Sequence, residues 1–183
     1  MKVLMLVCAA ALLGLAVFSR PASGGARAPK FSSAYTDLKT RCAPVTTGEA
    51  QGDDTPLRCA GRGGYEIRID FSAASSHLRV QPEGGDGEAA VVLPAQPLHY
   101  DERRKVEWRL ADGEPFAVIV RVDKARDGLD PAEMWRPENK TGESLLVKGL
   151  KGYERVDFEV DARAAGANAK AREAADRAYL AGR

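Results

Sequence analysis

Apolar and polar residues alternate through most of the stretch from Tyr65 to Asp161, a period of two that an α-helix cannot use. In "YEIRID", Tyr65, Ile67 and Ile69 take one side and Glu66, Arg68 and Asp70 the other. "HLRVQ" sets Leu78 and Val80 against His77, Arg79 and Gln81, and "KVEWRL" sets Val106, Trp108 and Leu110 against Glu107 and Arg109. "FAVIVRV" carries Phe116, Val118, Val120 and Val122 on one face, and "RVDFEVDA" carries Val156, Phe158 and Val160. "AAVVLP" reads as a short apolar strand, and "ESLLVKGL" is less regular. Because successive side chains of a strand point to opposite faces, the pattern predicts half-buried, mostly antiparallel strands.

The punctuation agrees. Asp112-Gly113 between two alternating runs is a hairpin signal, and Gly84-Gly85-Asp86-Gly87 marks another reversal. Residues 123–143 form a longer charged insertion, in which "DPAEMW" predicts one helical turn capped by Asp130, with Glu133 completing a capping box. After Ala162 the character changes. "AAGANAKAREAADRAYLAG" is rich in alanine and free of proline, and predicts a C-terminal helix over about 164–181. Its small-residue face is Ala167, Ala171, Ala174, Ala175 and Ala178, and Glu173 and Arg177 are placed for a surface pair. The expected fold is α+β: one mainly antiparallel sheet of about six strands, curved or partly closed, with the C-terminal helix packed on it.

The N-terminus predicts the compartment. Lys2 precedes an uncharged apolar run, Val3 to Phe18, and small residues follow from Ala22 to Ala26. That is the layout of a secretory signal peptide over 1–26, cut after Gly24 or Ala26; the alternative is an uncleaved anchor. The expected organisation is then a signal peptide (1–26), a flexible leader (27–34) and one secreted domain (35–183). The location is periplasmic or extracellular. Lys2 and Arg20 leave with the signal and no acid does, so 27 basic residues become 25 against 26 acidic ones. This balance offers no electrostatic case for nucleic acid or an anionic membrane as partner, and no stable membrane insertion is expected after the signal is removed. Losing Cys8 leaves Cys42 and Cys59, an even count in an oxidising compartment, and predicts a disulfide between them.

The segment most like a site is "RCAGRGGYEI", Arg58 to Ile67. It lacks the last glycine of a dinucleotide loop and the lysine of a Walker loop, and a strand follows where either motif needs a helix. A bend entering a strand is the expectation. Ser75, Ser76 and His77 contain two members of a hydrolase triad but no nucleophile elbow. His99, Asp53-Asp54 and the series Asp123, Asp127 and Asp130 show no metal-ligand or glycosidase spacing. Asn139-Lys140-Thr141 matches a glycosylation acceptor, which matters only in a cell with that pathway. No catalytic residue, metal ligand or cofactor is assigned. Arg68, His77, Arg79, Arg109 and Arg121 fall on outward strand positions and form the tentative surface site, a basic patch for an anionic wall polymer or a partner. Glu66, Asp70 and Glu107 share such positions, so cross-strand ion pairs compete with that reading.

The order "YTDL", a cysteine, "RCAGRGGYEI", "VEWRL…PFAVIVR", "LLVKGL" and "VDARAAGANAKAREAAD" resembles a family of small secreted proteobacterial proteins of uncharacterised function, over Tyr35 to Asp176. The resemblance implies secretion and a common fold, and no activity or catalytic residue. Members often carry further cysteines near the last strand and the C-terminus, and this chain has none there. The function expected is a non-enzymatic binding or inhibitory module of the envelope or periplasm, whose partner is an envelope protein or a wall polymer. The alternatives are a small extracytoplasmic hydrolase and a structural envelope component.

Overall fold

The computed structural model describes residues 27–45, 55–72, 74–85, 90–100, 102 and 104–182. The signal-peptide segment 1–26 lies outside the described residues, and so do Asp53 and Asp54. In chain order the strands are β1 (Phe31–Asp37), β2 (Cys42–Pro44), β3 (Leu57–Ala60), β4 (Tyr65–Ser72), β5 (Ser75–Pro82), β6 (Val91–Val92), β7 (Gln96–Pro97), β8 (Lys105–Ala111), β9 (Glu114–Ala125), β10 (Lys140–Gly149) and β11 (Asp157–Asp161). Among the described residues three α-helices, α1 (Leu38–Arg41), α2 (Pro131–Met134) and α3 (Ala167–Ala181), and a 3₁₀ turn (Pro137–Asn139) accompany them.

The strands form two antiparallel sheets. One runs β1-β8-β9-β10-β11; the other runs β2-β3-β4-β5-β6, with β7 also on β5. This overturns the expectation of a single curved or partly closed sheet of about six strands. Eleven strands are present among the described residues, and neither sheet closes on itself. The physical reason is that alternation tells which residues share a face, not which strand pairs with which. The first three strands are short or irregular in pattern and leave no period to read.

Ile67, Ile69, Leu78 and Val80 of the six-stranded sheet pack against Val106, Trp108, Val118 and Val120 of the five-stranded one. α3 lies on the far side of the five-stranded sheet. There Ala167, Ala171, Ala175 and Tyr179 meet Ala117, Ile119, Leu145 and Val147. The five-stranded sheet is therefore the middle of three layers, and β9 is an almost unbroken apolar run because both its faces are covered. The Trp108 indole nitrogen donates to Thr36 Oγ1 at 3.0 Å, and Thr36 Oγ1 donates to the Ala60 carbonyl at 3.1 Å. Together these bonds tie the two sheets at one edge.

Phe31 to Ala34, expected in a flexible leader, form the first half of β1, paired with Ala111 to Trp108. Asp37 ends that strand by capping α1, its carboxylate accepting from the amides of Lys39 and Thr40. The Cys42–Cys59 disulfide joins residues directly opposite on β2 and β3. The glycine segment is the bend between β3 and β4: a Cβ on Gly61 would lie 1.9 Å from the Tyr65 carbonyl oxygen. Asp112 and Gly113 both have positive φ, 52° and 95°, as a two-residue type I′ hairpin requires. Among the described residues no helix is long and apolar enough to cross a membrane.

Candidate functional site

α3 covers only part of the outer face of the five-stranded sheet. Its alanines, one per turn, let the helix come close to Ala117 and Ile119. Phe31, Phe116, Tyr153 and Tyr179 cluster at its C-terminal end, with Tyr153 and Tyr179 stacked at 5.4 Å. Along the β8 side the helix meets charge instead. Arg109, 8% exposed, donates from Nε and Nη2 to the two carboxylate oxygens of Asp176, at 2.7 and 2.5 Å. Glu107, 7% exposed, accepts from Arg172 Nε at 2.6 Å and from Ser33 Oγ at 2.5 Å. Arg172 Nη2 also donates to the Tyr35 hydroxyl at 2.9 Å.

Beyond the first turn of α3 the sheet face is open. A cleft of about 300 Å³ lies there, lined among others by Tyr35, Lys105, Arg121, Asn168 and Arg172. A second cleft, about 310 Å³, shares Arg104 with the first and extends to Tyr100, Asp123, Lys140 and Glu143. Arg104, Lys105, Arg121 and Arg172 face the first cleft, and Glu107 is the only acid in its walls. The open half of the face is thus a basic concavity, although the chain is almost neutral.

The second cleft is a closed network of charges. Arg104 Nη2 donates to Asp123 Oδ1 at 2.6 Å and to Glu143 Oε1 at 3.3 Å. Arg121 Nη1 reaches Glu143 Oε2 at 3.0 Å, and Lys140 Nζ lies 3.2 Å from Asp123 and 3.1 Å from Glu143. Burial opposes the charge on Glu143, but hydrogen bonds from Lys140 and Arg121 and the charge of Arg104 outweigh it and hold the carboxyl at about 2. Burial likewise opposes the Lys140 ammonium, and Glu143 and Asp123 raise its pKa all the same. Burial pushes the Tyr100 phenol well above its usual range, and the hydroxyl donates to the Arg121 carbonyl at 2.5 Å. A carboxylate this acidic and a phenol this weak do not exchange protons near neutral pH. Across the two clefts five cations (Arg104, Lys105, Arg121, Lys140 and Arg172) are paired with four carboxylates (Asp37, Glu107, Asp123 and Glu143), so the arrangement holds a single excess positive charge in place.

The five residues of the tentative surface site do not form one patch. Arg121 lines the basic cleft, and Arg109 lies beneath α3 against Asp176. Arg68, His77 and Arg79 are on the outer face of the six-stranded sheet, two layers away. There Arg68 and Arg79 are directly opposite, Arg79 pairs with Asp70, and Arg68 Nε is 3.7 Å from Glu66. His77 Nε2 lies 3.3 Å from Ser72 Oγ. The serines next to it in sequence are occupied elsewhere: Ser75 Oγ accepts from Trp135 Nε1 at 3.1 Å, and Ser76 Oγ donates to the Pro97 carbonyl at 2.8 Å. His99 sits on the surface 3.3 Å from Glu102, and Asp130 caps α2 through the Ala132 amide. Among the described residues no group of three or more His, Cys, Asp or Glu is placed to hold a metal.

Arg104, Lys105, Lys140, Glu143 and Arg172 were not singled out from sequence. A signal for part of the set does exist. Lys105, Glu107 and Arg109 share one strand face, and Arg172 and Asp176 are one helical turn apart with complementary charges. Compared with protein-family models, with curated proteins and with solved structures, the chain matches none of them.

Proposed function

We propose that this chain is exported to the bacterial envelope space, periplasmic or extracellular. There it acts as a non-enzymatic binding or inhibitory module, and the basic cleft beside α3 is its recognition face. The observation that carries the reading is the clustering of cations at that cleft: Arg104, Lys105, Arg121 and Arg172 line it, and although each is paired with a carboxylate (Asp123 and Glu143, Asp37, Glu143 and Glu107), Glu107 is the one acid in its walls, with Tyr35, 54% exposed, at its rim. Fixed cations in a concavity raise the local concentration of an anionic partner and orient it. The N-terminal layout and the likeness to secreted proteobacterial proteins support the location, and the Cys42–Cys59 bond suits an oxidising compartment. The partner class is an envelope protein or wall polymer that presents negative charge.

The test uses the mature chain, residues 27–183, and the envelope fraction of a proteobacterium. Saturable binding that falls about tenfold in Lys105→Glu/Arg121→Glu and weakens with added salt is the expected result. Binding unchanged by those substitutions would reject the cleft. The hydrolase reading rests on the Ser72–His77 approach at 3.3 Å. Turnover of an ester, amide or glycoside by the mature chain that is lost in His77→Ala would replace the binding reading with that one.

A further inference from the structure

The five-stranded sheet has two free edges, and they are built differently. β11 at one edge is five residues long and carries Asp157, Glu159 and Asp161, of which Asp157 pairs with Lys148 and Glu159 with Lys124. Charges on a short strand are a usual guard against further pairing. β1 at the other edge is seven residues long, "FSSAYTD", with no charge before Asp37 and no proline. Its register with β8 runs from Phe31↔Ala111 to Asp37↔Lys105 without a bulge.

The hydrogen-bond phase of that pair says which groups are free. The Leu38 amide donates to the Arg104 carbonyl and the Asp112 amide to the Lys30 carbonyl. Residues 30 and 38 therefore face β8, and the alternation of an antiparallel ladder assigns Ser32, Ala34 and Thr36 to it as well. Phe31, Ser33 and Tyr35 turn their N–H and C=O groups outward, and among the described residues none of these groups is bonded elsewhere. The side chains of the same three residues point to the α3 face, where Arg172 reaches the Tyr35 hydroxyl.

We infer that β1 is a strand-addition site: an extended, acidic segment of a protein partner pairs with its free edge and places alternate carboxylates beside Arg172 and the mouth of the basic cleft. The inference rests on the proposed binding role and names its partner and mode. Main-chain bonds to Ser33 and Tyr35 supply the docking, and the cations select the side chains. Residues opposite one another on adjacent strands have Cβ atoms about 5 Å apart, so a glutamate across from Tyr35 comes within reach of Arg172. A second copy of this chain is a poorer occupant. A twofold β1–β1 pair centred on Tyr35 would bring the Arg172 guanidiniums of both copies to one junction, and one centred on Ser33 would set Tyr35 opposite Phe31; neither brings either Arg172 an acid beyond its own Glu107, since β1 has none before Asp37.

The experiment compares labelled peptides as long as β1, seven residues. One alternates glutamate with valine from a first glutamate, one alternates lysine with valine, and one keeps every side chain of the first but N-methylates its two inner glutamates, whose N–H groups would face β1. Binding to the mature chain is read by fluorescence anisotropy. The Glu/Val peptide should bind, and the other two should bind at least about tenfold more weakly. Two variants isolate the edge. Ser33→Pro removes an outward N–H and leaves the β8 ladder bonded; Ser33→Ala loses the same hydroxyl and keeps the N–H. Ser33→Pro should lose the peptide, and Ser33→Ala should keep it.

Equal loss in both variants, equal binding of the N-methylated peptide, or no binding of the Glu/Val peptide would overturn strand addition. So would a wild-type dimer that Ser33→Pro dissolves, which assigns the edge to a second copy. If Ser33→Pro leaves binding intact while Lys105→Glu/Arg121→Glu abolishes it, the cleft reading stands and strand addition fails. If both sets leave binding intact, the cleft reading fails with it.

Discussion

Removing Asp176 tests what holds α3 on the sheet. Its carboxylate takes two bonds from Arg109, whose only other hydrogen-bond partner among the described residues is Ser33 Oγ at 3.1 Å. The Arg109 side chain is 10% exposed and that of Asp176 21%. In Asp176→Ala the guanidinium stays beneath the helix with one neutral partner. Deleting one member of a fully buried pair costs about 3–5 kcal/mol, and the remaining exposure and the serine place this case at about 3 kcal/mol. For a domain of this size that corresponds to a fall in Tm of roughly 6–12 °C. Replacing both partners together, Arg109→Met/Asp176→Leu, removes the stranded charge and should cost about 1 kcal/mol or less. The cycle through both single variants should therefore show a coupling of about 2 kcal/mol or more. Urea unfolding followed by the fluorescence of Trp108, which is fully buried, measures each corner. Glu173 and Arg177, exposed and 3.7 Å apart on the same helix, are the control, and cutting that pair should leave the midpoint in place. A loss below about 1 kcal/mol in Asp176→Ala, or a coupling near zero, would refute the claim that this pair anchors the helix.

Cys59→Ser should lower stability by about 3 kcal/mol on the loop-entropy account, and reductant should lower the wild-type midpoint without moving the variant's. Glu143 makes an acid-side prediction. Its folded pKa, about 2, is below the ordinary value of 4.5, so its contribution is present above pH 4.5 and is lost as pH falls toward 2. Stability measured across that window should decline less steeply in Glu143→Gln than in the wild type, and parallel slopes would count against the ion network. The glycine bend separates two kinds of glycine. Gly64→Ala meets only its positive φ of 77° with open space around it and should cost about 1 kcal/mol, whereas Gly61→Ala drives a methyl into the Tyr65 carbonyl and should cost several times that.

Much of the strand content was legible because a half-buried strand writes its period into the chain. Tyr65 to Asp70, Lys105 to Leu110 and Asp157 to Val160 all lie in the strands that alternation predicts. The paired cysteines, the Asp112-Gly113 turn and the C-terminal helix were legible for equally local reasons. The two-sheet arrangement was not. β1 reads "FSSAYTD", with small and polar residues on both faces, and it is a strand because β8 supplies a partner 76 positions away at Ser33↔Arg109. The basic cleft was hidden for a related reason. Its charges come from Arg104, just before β8, and from β8, β9, β10 and α3, and none of those strands or the helix carries a net charge above +1.

The arginines show where the local reading stops. Alternation places Arg68, Arg79, Arg109 and Arg121 alike, outward from the core between the sheets. One outward face is that of the six-stranded sheet; the other belongs to the middle layer, and part of it is roofed by α3. The helix's buried stripe is mostly alanine, and alanines one turn apart would fit the sheet almost as well after a slide of one turn. The charges do not tolerate that slide. A shift of four residues would take Asp176 from Arg109 and Arg172 from Glu107 together, stranding two charges that are less than a tenth exposed in the native register. The buried pairs, together with Tyr179 in its aromatic cluster, therefore select the register of a helix whose alanine stripe barely specifies one. That same register puts Arg172 at the rim of the cleft and beside the free edge of β1, so the contacts that seat α3 also set the chemistry of the proposed recognition face.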